Sequence, residues 1–182
     1  MIGEPGLGKS QLLKGLYSIA PKAIYICGSS SSSAGLTVSL NKDSGSNDFS
    51  IEPGAVVLAS NGACCIDEFD KIPQHHDSLL EVMEQQCVSI AKSGTRCNMQ
   101  ARTSIIAAAN FNEGSYCKTK SFNQNTCFNS ALLSRFDLIF LLLDKNNKKY
   151  DLRLADHLLN IRMNKFNQHQ SQYFFVFLHF SW

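Results

Sequence analysis

An α/β fold is predicted, with a parallel sheet flanked by helices and two β-hairpin insertions. Three observations predict it. Short apolar runs at residues 23–27, 63–66, 103–109 and 138–143 recur between stretches of helical period, the alternation that builds a parallel sheet. Two other stretches alternate apolar and polar residues around turn formers, as hairpins do. Finally, Gly3-Glu4-Pro5-Gly6-Leu7-Gly8-Lys9-Ser10 fits G-x-x-x-x-G-K-[ST], a loop that joins a strand to a helix.

The chemistry of that loop explains its residue types. Glycines let successive backbone N–H groups converge on one anion, a concavity that side chains would obstruct. The helix that follows aims its free N–H groups and dipole at the same point. Lys9 is placed to reach the β- and γ-phosphates of a nucleotide, and the Ser10 hydroxyl to hold Mg²⁺. Gly3, Glu4, Pro5, Gly6, Leu7, Gly8, Lys9, Ser10 and Gln11 are therefore the expected nucleotide contacts. A Gly-rich turn before an ordinary helix is the bland alternative.

The elements follow in order. Residues 10–20 read as a helix with Leu12, Leu13, Leu16 and Ile19 as its apolar stripe, closed by Pro21, and residues 23–27 (AIYIC) as a short buried strand. Serines 29–33 form a small-residue connection. Residues 36–40 and 49–52 alternate around a turn-rich stretch and make the first hairpin, either an insertion or an ordinary edge hairpin. A short helix is expected at 55–59. Residues 63–68 (ACCIDE) form a buried strand that ends in two acids. At the carboxyl edge of an α/β sheet, where ligands bind, Asp67 suits a Mg²⁺ shell and Glu68 the polarising of an attacking water. Acids at strand ends also serve as solvated caps.

Residues 77–86 are helical with Leu79, Leu80 and Met83 inward, and the adjoining His75 and His76 are expected to face water. The second hairpin spans 87–101, its tip carrying Lys92 and Arg96, which either solvate the turn or touch a phosphate backbone. Residues 103–109 deliver Asn110 to the same sheet edge, to orient water or phosphate or simply to turn the chain. A long loop covers 111–128, a short helix 129–134, and residues 138–143 (LIFLLL) the last core strand. Residues 150–162 read as a helix with Leu152, Ala155 and Leu159 on one face.

Composition bounds the function less tightly. The chain of 182 residues suits one domain, and a formal net charge of +2 argues neither for nor against nucleic acid. Seven cysteines without a C-x-x-C pair, several inside apolar runs, read as reduced buried thiols rather than a metal site or a disulfide framework. The apolar residues 173–182 are too few for a membrane span, which needs about 20.

Four runs now stand beside the loop: 65–71 (CIDEFDK), 83–92 (MEQQCVSIAK), 101–110 (ARTSIIAAAN) and 132–137 (LLSRFD). Together they resemble the P-loop core of AAA+ ATPases and, in detailed wording, the minichromosome maintenance (MCM) family of DNA helicases, over residues 3–163. The resemblance implies an ATP-hydrolysing motor subunit with ATP and Mg²⁺ as cofactors. Its implied partners are single-stranded or forked DNA and other MCM subunits in a ring, with no membrane. Replication, recombination or repair in the nucleus is the implied setting. It implies that Glu68, Lys9, Asn110 (sensor 1) and Arg135 are catalytic, Arg135 as a finger acting on a neighbour's ATP, worth roughly 10³–10⁵ in turnover. It also makes Ser10 and Asp67 the metal ligands, and Lys92 the channel lysine that meets DNA.

The departures are specific. Gly8 stands where most members have Ala, a wording that resembles the eighth paralogous branch, and Phe111 stands where a proline usually follows the sensor asparagine. No match is found for the amino-terminal collar, for the strand feeding the loop, or for the lid helices. Residues 1–165 are accordingly expected to be a partial ATPase domain incomplete at both ends, and 166–182 an unassigned apolar tail. Without the central strand, its apolar neighbours are expected to be exposed. The competing readings are another AAA+ ATPase of clamp-loader or chelatase type, and a non-catalytic ATP-binding or assembly fragment.

Overall fold

The central strand of the sheet is β5, Gly62–Asp67, which among the described strands is the one flanked along its length by a partner on each edge. The structure, a computed structural model, describes residues 1–30, 33–42, 49–92, 95–144 and 147–164. It divides into two units, Met1–Leu143 and Asp144–Trp182. In chain order the first unit holds β1 (Ile2–Gly3), α1 (Lys9–Ile19), β2 (Ala23–Cys27), α2 (Ser33–Leu36), β3 (Val38–Lys42), β4 (Phe49–Pro53), α3 (Ala55–Leu58) and β5. It continues with α4 (His76–Gln85), β6 (Cys87–Lys92), β7 (Thr95–Gln100), β8 (Thr103–Ala107), α5 (Phe122–Asn125), α6 (Ser130–Leu133) and β9 (Leu141–Leu142). The second unit carries α7, Lys148–Asn164. Residues 166–182, the expected tail, lie outside the described residues, and no described helix is long and apolar enough to cross a membrane.

Strands β2, β5 and β8 run parallel in that order, with Cys27 opposite Asp67 and Ile66 opposite Ala107. Covered on both faces, β5 reads as a continuous apolar run, and Cys64, Cys65 and Ile66 are fully buried. The strand expected to be absent before the loop exists as a stub. Ile2 N–H donates to Phe140 O at 2.8 Å, Gly3 N–H donates to Ala109 O at 3.1 Å, and Ala109 N–H donates to Met1 O at 3.0 Å. Ile2–Gly3 pairs in parallel with Leu141–Leu142, so β1 sits between the end of β8 and β9.

Two residues of β1 cannot cover what lies beside them. The expected core strand 138–143 is correspondingly reduced to Leu141–Leu142, with Leu138 70% exposed and Phe140 42%. A cleft of about 560 Å³ separates residues 138–140 from β8, lined among others by Ile105, Val82, Met83 and Phe140. Leu16 of the expected α1 stripe faces this cleft and Ile19 ends the helix 80% exposed, leaving Leu13 as the one fully buried residue of the four.

Both hairpins form, β3 against β4 and β6 against β7. The first begins later than expected because Leu36 is fully buried as the last residue of α2. His76 does not face water. It opens α4 at 5% exposure, its ring 4.9 Å from Phe69 and 5.4 Å from Phe128. The loop 111–128 is ordered by a capping box at α5, between Ser121 and Gln124, and by the Asn125 amide, which donates to three loop carbonyls.

Candidate functional site

Parallel strands put all their carboxyl ends on one edge of the sheet, and this edge carries nearly every residue singled out in the sequence. From β1 the chain enters the loop 3–10. Gly6 (φ +85°) and Gly8 (φ +78°) both adopt the left-handed conformation, with open space where a Cβ would stand, and Gly8 caps α1. A side chain at either position would be strained.

Lys9 opens α1 and turns its Nζ back over the loop, donating to Gly3 O at 2.9 Å and Glu4 O at 2.7 Å. Burial pushes its ammonium below the usual lysine range, against the upward pull of Asp70, Asp67 and Glu4. A desolvated cation held by two backbone carbonyls is suited to pair with an anion delivered to the loop. Ser10 lies beside it on the first turn of α1. The loop is anchored from outside by Glu4, whose Oε1 accepts from Tyr116 N–H at 3.2 Å.

Asp67 ends β5 at 8% exposure with both oxygens engaged: Oδ1 accepts from Glu68 N–H at 3.0 Å and Oδ2 from the Tyr25 phenol at 2.7 Å. Burial, and then that bond, raise the Tyr25 pKa, so the phenol stays a donor. Glu68 takes a left-handed backbone (φ 51°) that turns the chain off the strand, and its Oε2 accepts from Cys27 Sγ at 3.5 Å. A Cβ on Gly28 would come within 2.4 Å of Glu68 O, so glycine is the residue that admits the turn.

The third acid of that run, Asp70, had no expected role. Its Oδ1 accepts from Asn110 N–H at 3.0 Å, while Phe69 N–H donates to Ala108 O at 2.9 Å. The turn after β5 and the end of β8 are thus stitched together, and Asn110 is held beside the acids. Phe111, in place of a proline, is buried and packs on Tyr116 at 5.4 Å, and Gly114 N–H closes the turn on its carbonyl. Tyr25, Gly28 and Asp70 were missed by sequence reasoning. Only Asp70 carried a signal, its place three residues after Asp67.

Two expected residues lie elsewhere. The Arg135 guanidinium pairs with Glu84 of α4 at 2.6 Å, both side chains about half exposed, a pair that contributes little to stability and can be exchanged. Lys92 ends β6 opposite Thr95, and its side chain and that of Arg96 lie outside the described residues. Among the described residues no three His, Cys, Asp or Glu side chains gather to hold a metal by themselves.

A glycine loop, a lysine opening the next helix, and acids ending a buried parallel strand on the same edge define a P-loop protein of the α/β class. The MCM P-loop domain family matches residues 1–162, and the chain belongs to that family. Among curated relatives, it is 53% identical over 165 residues to the DNA helicase MCM8 of Bos taurus (91% of this chain, 20% of the relative). It is 52% identical over 165 residues to the DNA helicase MCM8 of Homo sapiens (91% and 20%). With the probable DNA helicase MCM8 of Oryza sativa subsp. indica it shares 52% identity over 164 residues (90% and 21%). The chain spans about a fifth of the length of the curated relatives it matches.

Proposed function

We propose that this chain is the nucleotide-hydrolysing core of an ATP-dependent DNA helicase motor subunit, acting in a nuclear ring of MCM subunits during replication, recombination or repair. The observation that carries the reading is the convergence of Lys9, Asp67, Glu68 and the Asp70–Asn110 pair on one sheet edge. The residues present fit a nucleotide with Mg²⁺: the loop takes the left-handed turns at Gly6 and Gly8 that a phosphate cradle needs, with open space beside both, and the donor set is a hydroxyl and a carboxylate. Mg²⁺ favours few protein oxygens together with phosphate and water, and when bound it would neutralise charge on the phosphates.

The chain's own residues divide the work. Residues 3–11 hold the phosphates, with Lys9 exchanging the Gly3 and Glu4 carbonyls for phosphate oxygens. Ser10 and Asp67 hold the metal. Glu68 orients the attacking water and receives its proton, its backbone placed by the left-handed turn and its carboxylate by Cys27. Asn110 directs the water or the terminal phosphate. Arg135, released from Glu84, reaches the nucleotide of the next subunit, and Lys92 meets the phosphate backbone of single-stranded or forked DNA.

The test is Glu68→Gln in the assembled ring. ATP should remain bound with its hydrolysis, and DNA unwinding with it, reduced by roughly 10²–10⁴. Hydrolysis at the unaltered rate would contradict the assignment.

A further inference from the structure

We propose that Tyr25 is a positioning residue that sets the orientation of the Asp67 carboxylate towards a divalent cation; this rests on the reading of Asp67 given above. Asp67 is buried at the end of β5, and its two oxygens take one donor each, the Tyr25 hydroxyl at 2.7 Å and Glu68 N–H at 3.0 Å. Two donors of fixed position leave the carboxylate plane no freedom to turn. Each oxygen keeps lone-pair capacity in a set direction. That matters for Mg²⁺, which demands near-ideal octahedral geometry and tolerates a swivelling ligand poorly.

The placement of the tyrosine ring supports this role. Tyr25 lies on β2 opposite Cys65, so its hydroxyl reaches two residues along the neighbouring strand to Asp67. The ring packs against the cluster of Leu13, Cys65 and Ala108, and Tyr17 meets it edge-on at 6.2 Å. Leu13 and Tyr17 both belong to α1, the helix that begins with Lys9 and Ser10. One side chain therefore touches the helix that carries one proposed metal ligand and hydrogen-bonds the other.

Two effects of the phenol oppose each other, and the sign of a substitution separates them. As a donor it withdraws charge from Asp67, which by itself would weaken cation binding. As a fixed partner it holds the carboxylate in place, which strengthens it. Ligand-orienting partners are typically worth 10–100-fold in metal affinity, so orientation is the larger effect.

The experiment is Tyr25→Phe, which keeps the ring against α1 and removes only the hydroxyl. Mn²⁺ binding is followed by electron paramagnetic resonance on the chain loaded with ATP, beside Asp67→Asn. ATP affinity in EDTA and the unfolding midpoint without ligand are measured on the same samples. The expected result is Mn²⁺ affinity lowered roughly 10-fold in Tyr25→Phe, with metal-free ATP affinity unchanged, a split that general loosening of the site would not produce. Unchanged or tighter Mn²⁺ binding in Tyr25→Phe, while Asp67→Asn loses it, overturns the role of Tyr25 alone. Unchanged Mn²⁺ binding in Asp67→Asn overturns the reading of the metal site and the proposal with it.

Discussion

Asp70 Oδ1 accepts the backbone N–H of Asn110 at 3.0 Å, joining the turn after one core strand to the end of the next. Without that acceptor the Asn110 N–H is part-buried with no partner at Asp70, which costs about 1–3 kcal/mol. Asp70→Ala should therefore destabilise by about that much, and Asp70→Asn, which keeps an acceptor oxygen, by clearly less. Urea midpoints of the two variants check this. Equal losses would mean that the carboxylate's charge, and not its acceptor, matters.

Phe69 follows Asp67 and Glu68 and anchors their turn. It is 2% exposed, with Phe128 at 5.2 Å, His76 at 4.9 Å and Phe136 edge-on at 6.1 Å. Phe69→Ala should cost about 3–5 kcal/mol, transfer and cavity together, and Phe69→Leu markedly less. Equilibrium unfolding measures both. A loss below about 1 kcal/mol for the alanine would show that the cluster contributes little.

The thiols should label in a fixed order. Burial, and then the neighbouring Cys65, push the Cys64 thiol up to about 12, and burial raises Cys65 as well. Hydrogen bonding with Thr119 holds the surface thiol Cys117 below its ordinary range. A lowered pKa leaves more thiolate at neutral pH, so Cys117 should react with iodoacetamide first and keep reacting as the pH falls below that of an ordinary thiol. Cys64 and Cys65 should stay unlabelled until denaturant is added. Mass spectrometry of the modified peptides reads the order, and early labelling at Cys64 would contradict the burial of β5.

How much of this was legible in the sequence depended on whether a residue's role is local. The loop 3–10 and the strand ending in Asp67 and Glu68 announce themselves, because a glycine turn and an acid after an apolar run act where they stand. Ser121 and Gln124 spell a capping box, a local signal inside a stretch read as plain loop. Residues 138–143 show the opposite case. An apolar run predicts a buried strand only if its neighbour is there to cover it, and β1 offers two residues. His76 looked like a surface histidine until the turn after β5 brought Phe69 and Phe128 against it. Tyr25 was the hardest to read, since its hydroxyl reaches Asp67 only through the register of two parallel strands, which no spacing along the chain reveals.

The central claim is that the loop and the acids form one nucleotide site, and thermal unfolding of the chain with and without Mg-ATP, beside Lys9→Ala, tests it most directly. Ligand at a hundred times its dissociation constant should add about 2.7 kcal/mol, a rise of roughly 5–10 °C in the midpoint for a chain of this size. The account predicts that rise in the unaltered chain and its loss in Lys9→Ala. An unmoved midpoint, or a rise that survives Lys9→Ala, would contradict it.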